Sequence, residues 1–399
     1  MIRFKHFIYL FTVFILSSCA GSGKEKMEPW LENAIHVSEQ QLLLGAEAFA
    51  DSAMNPRTYE HGTVELVTHK DWTSGFFPGS LWYLYELTDH DALKSAAERA
   101  TGFIAEAQFR TNTHDLGFII HCSFGNGYRI TGNKDYRKVM EQGAMSLMKR
   151  YNNRIGLIKS WDPHVGPWEF PVIIDNMMNL EFLYEVGKMT GNQTMMDAAV
   201  SHADKTLENH FRPDNSSVHV VEFDSITGAV LSKETHQGYN HESSWARGQA
   251  WGLYGFTMMY RLTKKPEYKE QAAKIADFIL NHPRLPEDKI PYWDFDAPNI
   301  PNEPRDASAA AIIASALFEL STFVTDSTYF NQAEIILKSL STDKYLAKTG
   351  ENGLFILKHS TGNWPKNSEI GTPLSYADYY YVESLKRYSE LKKLRYCKH

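Results

Sequence analysis

Two aspartates in this chain are well placed for acid–base chemistry. Asp115 lies in Thr113-His114-Asp115-Leu116-Gly117-Phe118, and Asp175 ends the apolar run Val172-Ile173-Ile174. An acid emerging from an apolar run is expected to be poorly solvated, which raises its pKa and suits proton donation. One neutral and one ionised carboxyl is what glycoside chemistry requires. Each aspartate also begins a helix expected from the surrounding pattern, where it could simply cap free N–H groups. Asp71, Asp162, Glu169, Glu242, Asp306 and Asp378 are further candidates, and composition does not rank them. The long connections rich in Gly, Asn and Gln carry Trp72, Trp161, Trp168, Trp245 and Trp251. Indole faces pack on the apolar faces of sugar rings, so this cluster points to a carbohydrate cleft, although one tryptophan alone would suit a core equally.

Other chemistries find little support. His241-Glu242-Ser243-Ser244-Trp245 is not a His-Glu-x-x-His zinc site, and Gly125-Asn126-Gly127 lacks the third glycine and preceding strand of a dinucleotide loop. There is no Gly-x-Ser-x-Gly elbow. No metal and no organic cofactor is expected. The net charge of −7 argues against nucleic acid as a partner, since phosphate binding needs clustered Lys and Arg.

The elements that must hold these residues are helices. A turn of Thr followed by Asp, Gly or Lys recurs at Thr88-Asp89, Thr131-Gly132, Thr190-Gly191, Thr263-Lys264 and Thr325-Asp326, each time between amphipathic stretches. Five short turns imply five antiparallel helix pairs, and helices over 31–50 and 376–391 supply a sixth. The spacing is too irregular for an open array of equal repeats. Only 218–223 and 229–232 read as strands, a hairpin around 224–228. The expected fold is therefore all-α, one (α/α)6 barrel over 31–399 with a small β-hairpin; an unclosed helical scaffold is the alternative.

The N-terminus reads as an address. Residues 1–18 have a basic start, an apolar core and Leu16-Ser17-Ser18 before Cys19, which resembles a bacterial lipoprotein signal. Cys19 would be acylated and 19–30 would form the lipidated tether of an exported protein facing the periplasm, touching membrane only through that lipid. Beyond Cys19 only Cys122 and Cys397 remain, too few for a disulfide framework, and Cys122 reads as a buried apolar residue. Oligomeric state is left open.

Eight stretches in order carry a family resemblance: Asp71-Trp72-Thr73-Ser74-Gly75-Phe76, His114-Asp115-Leu116-Gly117-Phe118, Ile173-Ile174-Asp175-Asn176, Thr235-His236-Gln237-Gly238, 244–252 around Trp245 and Trp251, Tyr292-Trp293-Asp294-Phe295, 305–309 and 377–381. The chain resembles the unsaturated glucuronyl hydrolases of glycoside hydrolase family 88. The resemblance implies an (α/α)6 barrel acting on the 4,5-unsaturated uronic acid that a lyase leaves at a chain end. It implies Asp175 as general acid and base, protonating C4 and activating water for C5, with Asp115 as the second essential acid. His219 and Gln237 would hold the reacting ring and water, Arg247 would lie near the uronate, and His114 counts with the substrate-binding residues. Trp72, Trp245 and Trp251 would wall the subsite. The segment 358–368 departs from the pattern; Lys366 or Lys358 there could serve a sulfate on the neighbouring sugar, although ordinary solvent-exposed loop lysines are the favoured reading. An unsaturated galacturonyl-rhamnose hydrolase of family 105, sharing the barrel, and a non-catalytic lipid-anchored glycan-binding protein are the other readings.

Overall fold

The computed structural model describes residues 27–163 and 165–396. The leader, Cys19, most of the tether and Cys397 lie outside the described residues.

Four of the five repeated turns end helices in one way. Thr88, Thr131, Thr190 and Thr263 are the last helical residues, and each hydroxyl donates to the carbonyl four residues back, at 2.9, 2.6, 2.8 and 2.7 Å. The next residue, Asp89, Gly132, Gly191 or Lys264, turns left-handed with φ of 56, 68, 72 and 60° and stops the helix. The following helix then starts within two or three residues, capped by the Asn133 or Asn192 side chain or opened by Pro266. The fifth turn differs: its helix ends at Leu320 and a 3-10 turn intervenes, so Thr325 ends no helix.

In chain order the helices are α1 (Pro29–Ala48), α2 (Phe76–Thr88), α3 (Asp91–Gly102), α4 (Asn126–Thr131), α5 (Lys134–Met148), α6 (Leu180–Thr190), α7 (Gln193–Asn209), α8 (Ala246–Thr263), α9 (Pro266–Leu280), α10 (Ala307–Leu320), α11 (Thr328–Leu340) and α12 (Ser375–Tyr396). A π-helix, Gly117–Gly125, prolongs α4 at its N-terminal side, and a 3-10 turn, Ile174–Asn179, does the same for α6. With those extensions the even-numbered helices form a ring in which each packs on the next and α12 packs on α2. The odd-numbered ones lie outside, with α1 against α12, α2 and α3. This closed ring of six pairs is the (α/α)6 barrel, and the unclosed scaffold is set aside.

Composition sorts the two rings. Helix α10 is Ala-Ser-Ala-Ala-Ala-Ile-Ile-Ala-Ser-Ala-Leu-Phe-Glu-Leu and is buried at every position but Glu319, as a helix apolar all round must be. Helix α9 buries only Tyr268, Gln271, Ala272, Ile275, Ala276 and Ile279, one stripe at helical spacing. Helix α1 begins at Pro29, and Trp30 packs on Tyr388 with ring centroids 5.3 Å apart. Two residues read as tether therefore belong to the fold.

More strand is present than the sequence suggests. β1 (Asn55–Glu60) pairs with β2 (Thr63–Val67), and β3 (Tyr151–Asn152) with β4 (Leu157–Ile158). The expected hairpin is β6 (Val220–Phe223) and β7 (Val230–Glu234), and β5 (Pro171–Ile173) joins it at β6. β8 (Ser360–Asn363) pairs with β9 (Ser368–Thr372). β8 reads Ser-Thr-Gly-Asn and shows no alternation; tertiary partners impose its conformation, among them Arg247, which donates to the Thr361 and Gly362 carbonyls.

Candidate active site

Strand β5 delivers Asp175 to the first turn of the 3-10 segment ahead of α6. The neighbouring amides of this motif are structural. Asn176 donates to the Ile158 carbonyl at 3.1 Å, and Asn179 accepts the Phe118 N–H at 3.0 Å. Gly117 permits that second contact, because a Cβ there would lie 2.7 Å from Asn179 backbone and side-chain atoms. The two acid-bearing segments are thus bound directly to each other.

The Asp175 side chain is 13% exposed, and its Oδ2 lies 3.7 Å from His219 Nε2. Among the described residues neither atom has a hydrogen-bond partner. Burial raises the Asp175 pKa to about 7, the Arg247 charge opposes that rise, and the Asp115 charge adds to it. His219 Nδ1 accepts the backbone N–H groups of His236 at 3.1 Å and Gln237 at 3.2 Å. Its single proton therefore sits on Nε2, facing Asp175. Burial holds His219 well below the usual histidine pKa, so the ring is neutral.

Asp115 Oδ2 accepts the Thr113 hydroxyl at 2.8 Å, and its Oδ1 lies 3.2 Å from His114 Nε2. Neither Asp115 nor Asp175 caps its helix through the side chain, contrary to the simpler reading of their positions. His114 is 1% exposed and its Nδ1 donates to the Ser160 carbonyl at 2.8 Å. Buried to that degree, it offers almost no surface to a ligand, unlike its expected place among the substrate-binding residues.

Arg247 also differs from expectation. It is 1% exposed, with Nη1 donating to Asp306 at 2.8 Å and to the Thr361 carbonyl at 2.5 Å, and Nη2 to the Gly362 carbonyl at 2.5 Å. The guanidinium lies 4.7 Å from the Trp245 ring and 5.3 Å from the Tyr376 ring. With Nη1 and Nη2 so engaged, its influence on the site is its charge. Trp251 is fully buried, so it is no cleft wall; its Nε1–H has no hydrogen-bond partner among the described residues and favours the charged form of Asp175. Trp245 is 3% exposed and carries the His219 ring 4.5 Å from its own. Trp168 is buried too. Trp72 and Trp161 remain partly open, Trp72 against Phe76, Phe118 and Tyr376, and Trp161 against His219 and His236. Gln237 Nε2 donates to the Gly362 carbonyl at 3.1 Å, tying its loop to β8. Lys366 is exposed on a short turn, and its charge adds to burial in lowering the His236 pKa.

The rival acids separate by partner. Asp306 caps α10 through Ser308 and Ala309 N–H and binds Arg247. Asp71 is paired with Arg57 at 2.7 Å, and Asp162 with Arg150 at 3.2 Å. Asp378 is pushed to about 7 by burial but accepts the Ile356 and Leu357 N–H groups at 2.9 and 2.8 Å. Glu169 and Glu242 are exposed. Asp175 alone among these acids combines a raised pKa with an unpartnered oxygen. Tyr376 and His236 neighbour the site without having been expected there; both stand inside or beside the quoted motifs, but nothing in their spacing distinguishes them from core aromatics.

A second cavity, of about 780 Å³, is lined by Phe118, Tyr254, Tyr379 and Tyr380 and by neither Asp115 nor Asp175. His121, Glu181 and Glu185 stand there within 4.8 Å of one another. Arg261 donates to Glu181 at 2.6 Å and His121 bonds Glu185 at 3.2 Å, so these groups partner one another within the protein. Cys122 lines the cavity as a buried free thiol.

Comparison with known proteins bears on this geometry. The family model described as Glycosyl Hydrolase Family 88 matches residues 46–393. An unsaturated glucuronyl hydrolase of Formosa agariphila is 49% identical over 329 residues, 82% of each chain. The crystal structure of an unsaturated glucuronyl hydrolase specific for heparin matches with a TM-score of 0.89 at 55% identity, covering 91% of this chain and 98% of that one. An Asp-to-Asn variant of the Streptococcus agalactiae enzyme, complexed with dGlcA-GalNAc6S, matches with a TM-score of 0.78 at 29% identity, covering 90% and 92%.

Proposed function

We propose a substrate and a chemistry for this chain, which belongs to Glycosyl Hydrolase Family 88: it removes a 4,5-unsaturated uronic acid from the non-reducing end of glycosaminoglycan oligosaccharides by hydrating the C4=C5 bond. The observation that carries the chemistry is Asp175, an acid with a pKa of about 7 and an oxygen without a hydrogen-bond partner among the described residues, facing a neutral His219. Such a group holds a proton at neutral pH and can also take one back.

In this reading Asp175 delivers its proton to C4, and positive charge develops at C5 and the ring oxygen. Water adds at C5 and returns a proton to the Asp175 carboxylate. The resulting hemiketal opens and releases the neighbouring sugar. The His219 Nε2–H and the Arg247 charge stabilise Asp175 while it is ionised, and Asp115 stabilises the cationic ring. Trp72 and Trp161 offer partly open ring faces for the sugars.

Heparin digests are the preferred source, supported by the relative at 55% identity named for heparin. Chondroitin-type disaccharides are the second reading, supported by the ligand of the Streptococcus agalactiae complex and by the exposed Lys366 beside His236. We propose also that the protein is exported and held to membrane by a lipid on Cys19.

The test follows the ultraviolet absorbance of the conjugated C4=C5 bond in lyase-digested heparin and chondroitin. Turnover bleaches it, whereas a binding protein leaves it intact. In deuterated water the released product should carry deuterium at C4, and the saturated analogue should bind without reacting. Turnover of a saturated glucuronide at a comparable rate would refute hydration and leave ordinary attack at C1.

A further inference from the structure

We propose that Arg57, on β1, is a positioning residue that fixes the spacing of two walls of the site, the segment around Trp72 and strand β8. Its Nη1 donates to Asp71 Oδ2 at 2.7 Å, while Nε and Nη2 donate to the two Glu369 oxygens at 2.7 and 3.2 Å. One planar group thus holds the residue before Trp72 and a residue of β9 at a set separation.

Each arm leads into the site. On the first, Asp71 Oδ1 accepts the Thr73 N–H at 2.8 Å and the Thr73 hydroxyl at 2.6 Å. The Asp71 carboxylate therefore bridges Arg57 and the residue after Trp72, whose partly open ring packs on Tyr376 with centroids 5.0 Å apart. On the second arm, Glu369 is 5% exposed and folds over Gly362, where a Cβ would lie 2.2 Å from Glu369 Oε2. The Gly362 carbonyl accepts Arg247 Nη2 at 2.5 Å and Gln237 Nε2 at 3.1 Å. The Gln237 N–H in turn donates to His219, the ring that faces Asp175.

Other ties hold the two ends of the β8–β9 hairpin. Thr58 donates to the Pro373 carbonyl at 2.7 Å at its base, and Trp364 stacks on Trp293 with centroids 5.2 Å apart at its tip. Glu369 lies between them at a φ of 56°, a left-handed setting that a residue with a Cβ seldom adopts. Its surroundings are acidic. Glu60 accepts the Glu369 N–H at 3.1 Å. Burial raises the Glu65 pKa, the Arg57 charge opposes that rise, and the charges of Glu369, Asp71 and Glu60 add to it. Without Arg57 these acids repel one another, and Glu369 swings away from Gly362 while the base of the hairpin stays tied. Arg57 therefore acts on His219 through Glu369, Gly362 and Gln237, and on Trp72 through Asp71. This rests on the roles proposed above for Asp175 and His219, but its first test requires no turnover.

Amide hydrogen exchange read by mass spectrometry comes first. In Arg57→Met the peptide covering 360–372 should exchange roughly tenfold faster than in wild type, with helix α10 unchanged. If Arg57→Met does not fold, Glu369→Gln carries the same measurement. Exchange of that peptide at the wild-type rate overturns the proposal, whatever the enzyme's activity. Kinetics on a lyase-generated disaccharide separate the two arms. Glu369→Gln should lower kcat with KM little changed, because it disturbs the groups around Asp175; Asp71→Asn should raise KM with kcat little changed, because it loosens a sugar-facing ring. A misplaced reacting group costs on the order of 100-fold, so Arg57→Met should lose about that in kcat/KM. Arg57→Lys keeps the charge but cannot make all three bonds, and should fall between wild type and Arg57→Met. Adding Glu369→Gln to Arg57→Met should cost no further kcat, since the two residues act through one contact. Losses that multiply in the double variant, or the same KM and kcat pattern in Glu369→Gln and Asp71→Asn, would reduce Arg57 to a surface tie.

Discussion

Asp175→Asn should abolish catalysis and, at high pH, stabilise the protein. In the folded chain the Asp175 pKa is raised from 3.8 to about 7, chiefly by burial. The folded state therefore binds more protons than the unfolded state between those values, and stability falls as pH rises through that window. Above pH 7 the folded protein carries a buried carboxylate, and each tenfold weakening of the acid corresponds to about 1.4 kcal/mol. A weakening of roughly a thousandfold sets a ceiling on the order of 4 kcal/mol. An amide that leaves its own groups poorly bonded gives back about 1–3 kcal/mol of that. The assay is urea unfolding of both proteins at pH 8 and near pH 4, beside turnover by loss of ultraviolet absorbance. The variant should unfold at higher urea than wild type at pH 8, and the difference should shrink and turn against the variant towards pH 4, where only the amide's own cost remains. Its rate should drop by at least roughly 100-fold, the lower bound for acid–base catalysis. A variant less stable than wild type at pH 8 would show that Asp175 is not held in a costly ionised state. One retaining a tenth of the activity would show that another group delivers the proton.

Asp378→Asn provides the contrast, because Asp378 shares the pKa of about 7 but bonds two backbone N–H groups. An amide accepts fewer bonds there and sets a donor against a donor, so urea unfolding should show a loss of about 1–3 kcal/mol, while kcat of the folded enzyme stays near wild type. Arg247→Met should destabilise by about 3–5 kcal/mol by leaving Asp306 buried and unpaired, and in the protein that folds the high-pH limb of activity should move upward, since the Arg247 charge lowers the Asp175 pKa. For wild type, kcat/KM should fall as pH rises past about 7, when Asp175 loses the proton it must deliver; a flat profile from 6 to 9 contradicts that. Cys19→Ser should move the native protein from the membrane to the soluble fraction, and a native N-terminus other than an acylated Cys19 would sink the anchor.

The barrel was legible because its punctuation is local. A threonine that back-bonds its own helix and a following residue that accepts a left-handed turn act over five positions, so the repeat at Thr88, Thr131, Thr190 and Thr263 reads directly as helix ends. Inner and outer helices separate by the same kind of local pattern, an all-apolar α10 beside a striped α9. The apolar approach to Asp175 likewise announced a poorly solvated acid. Strand β8 was not legible, since its conformation comes from Arg247 and the edge of β9 rather than from alternation. Nor were the roles of Arg247, Trp251 and His114, because one-dimensional spacing counts a residue near the site without saying whether it offers surface to a ligand or is buried. The difference lies in distance along the chain. Caps and stripes are set by neighbours a few residues away, whereas the state of Asp175 depends on His219, Arg247 and Asp115, and these meet it only when the ring of helices closes.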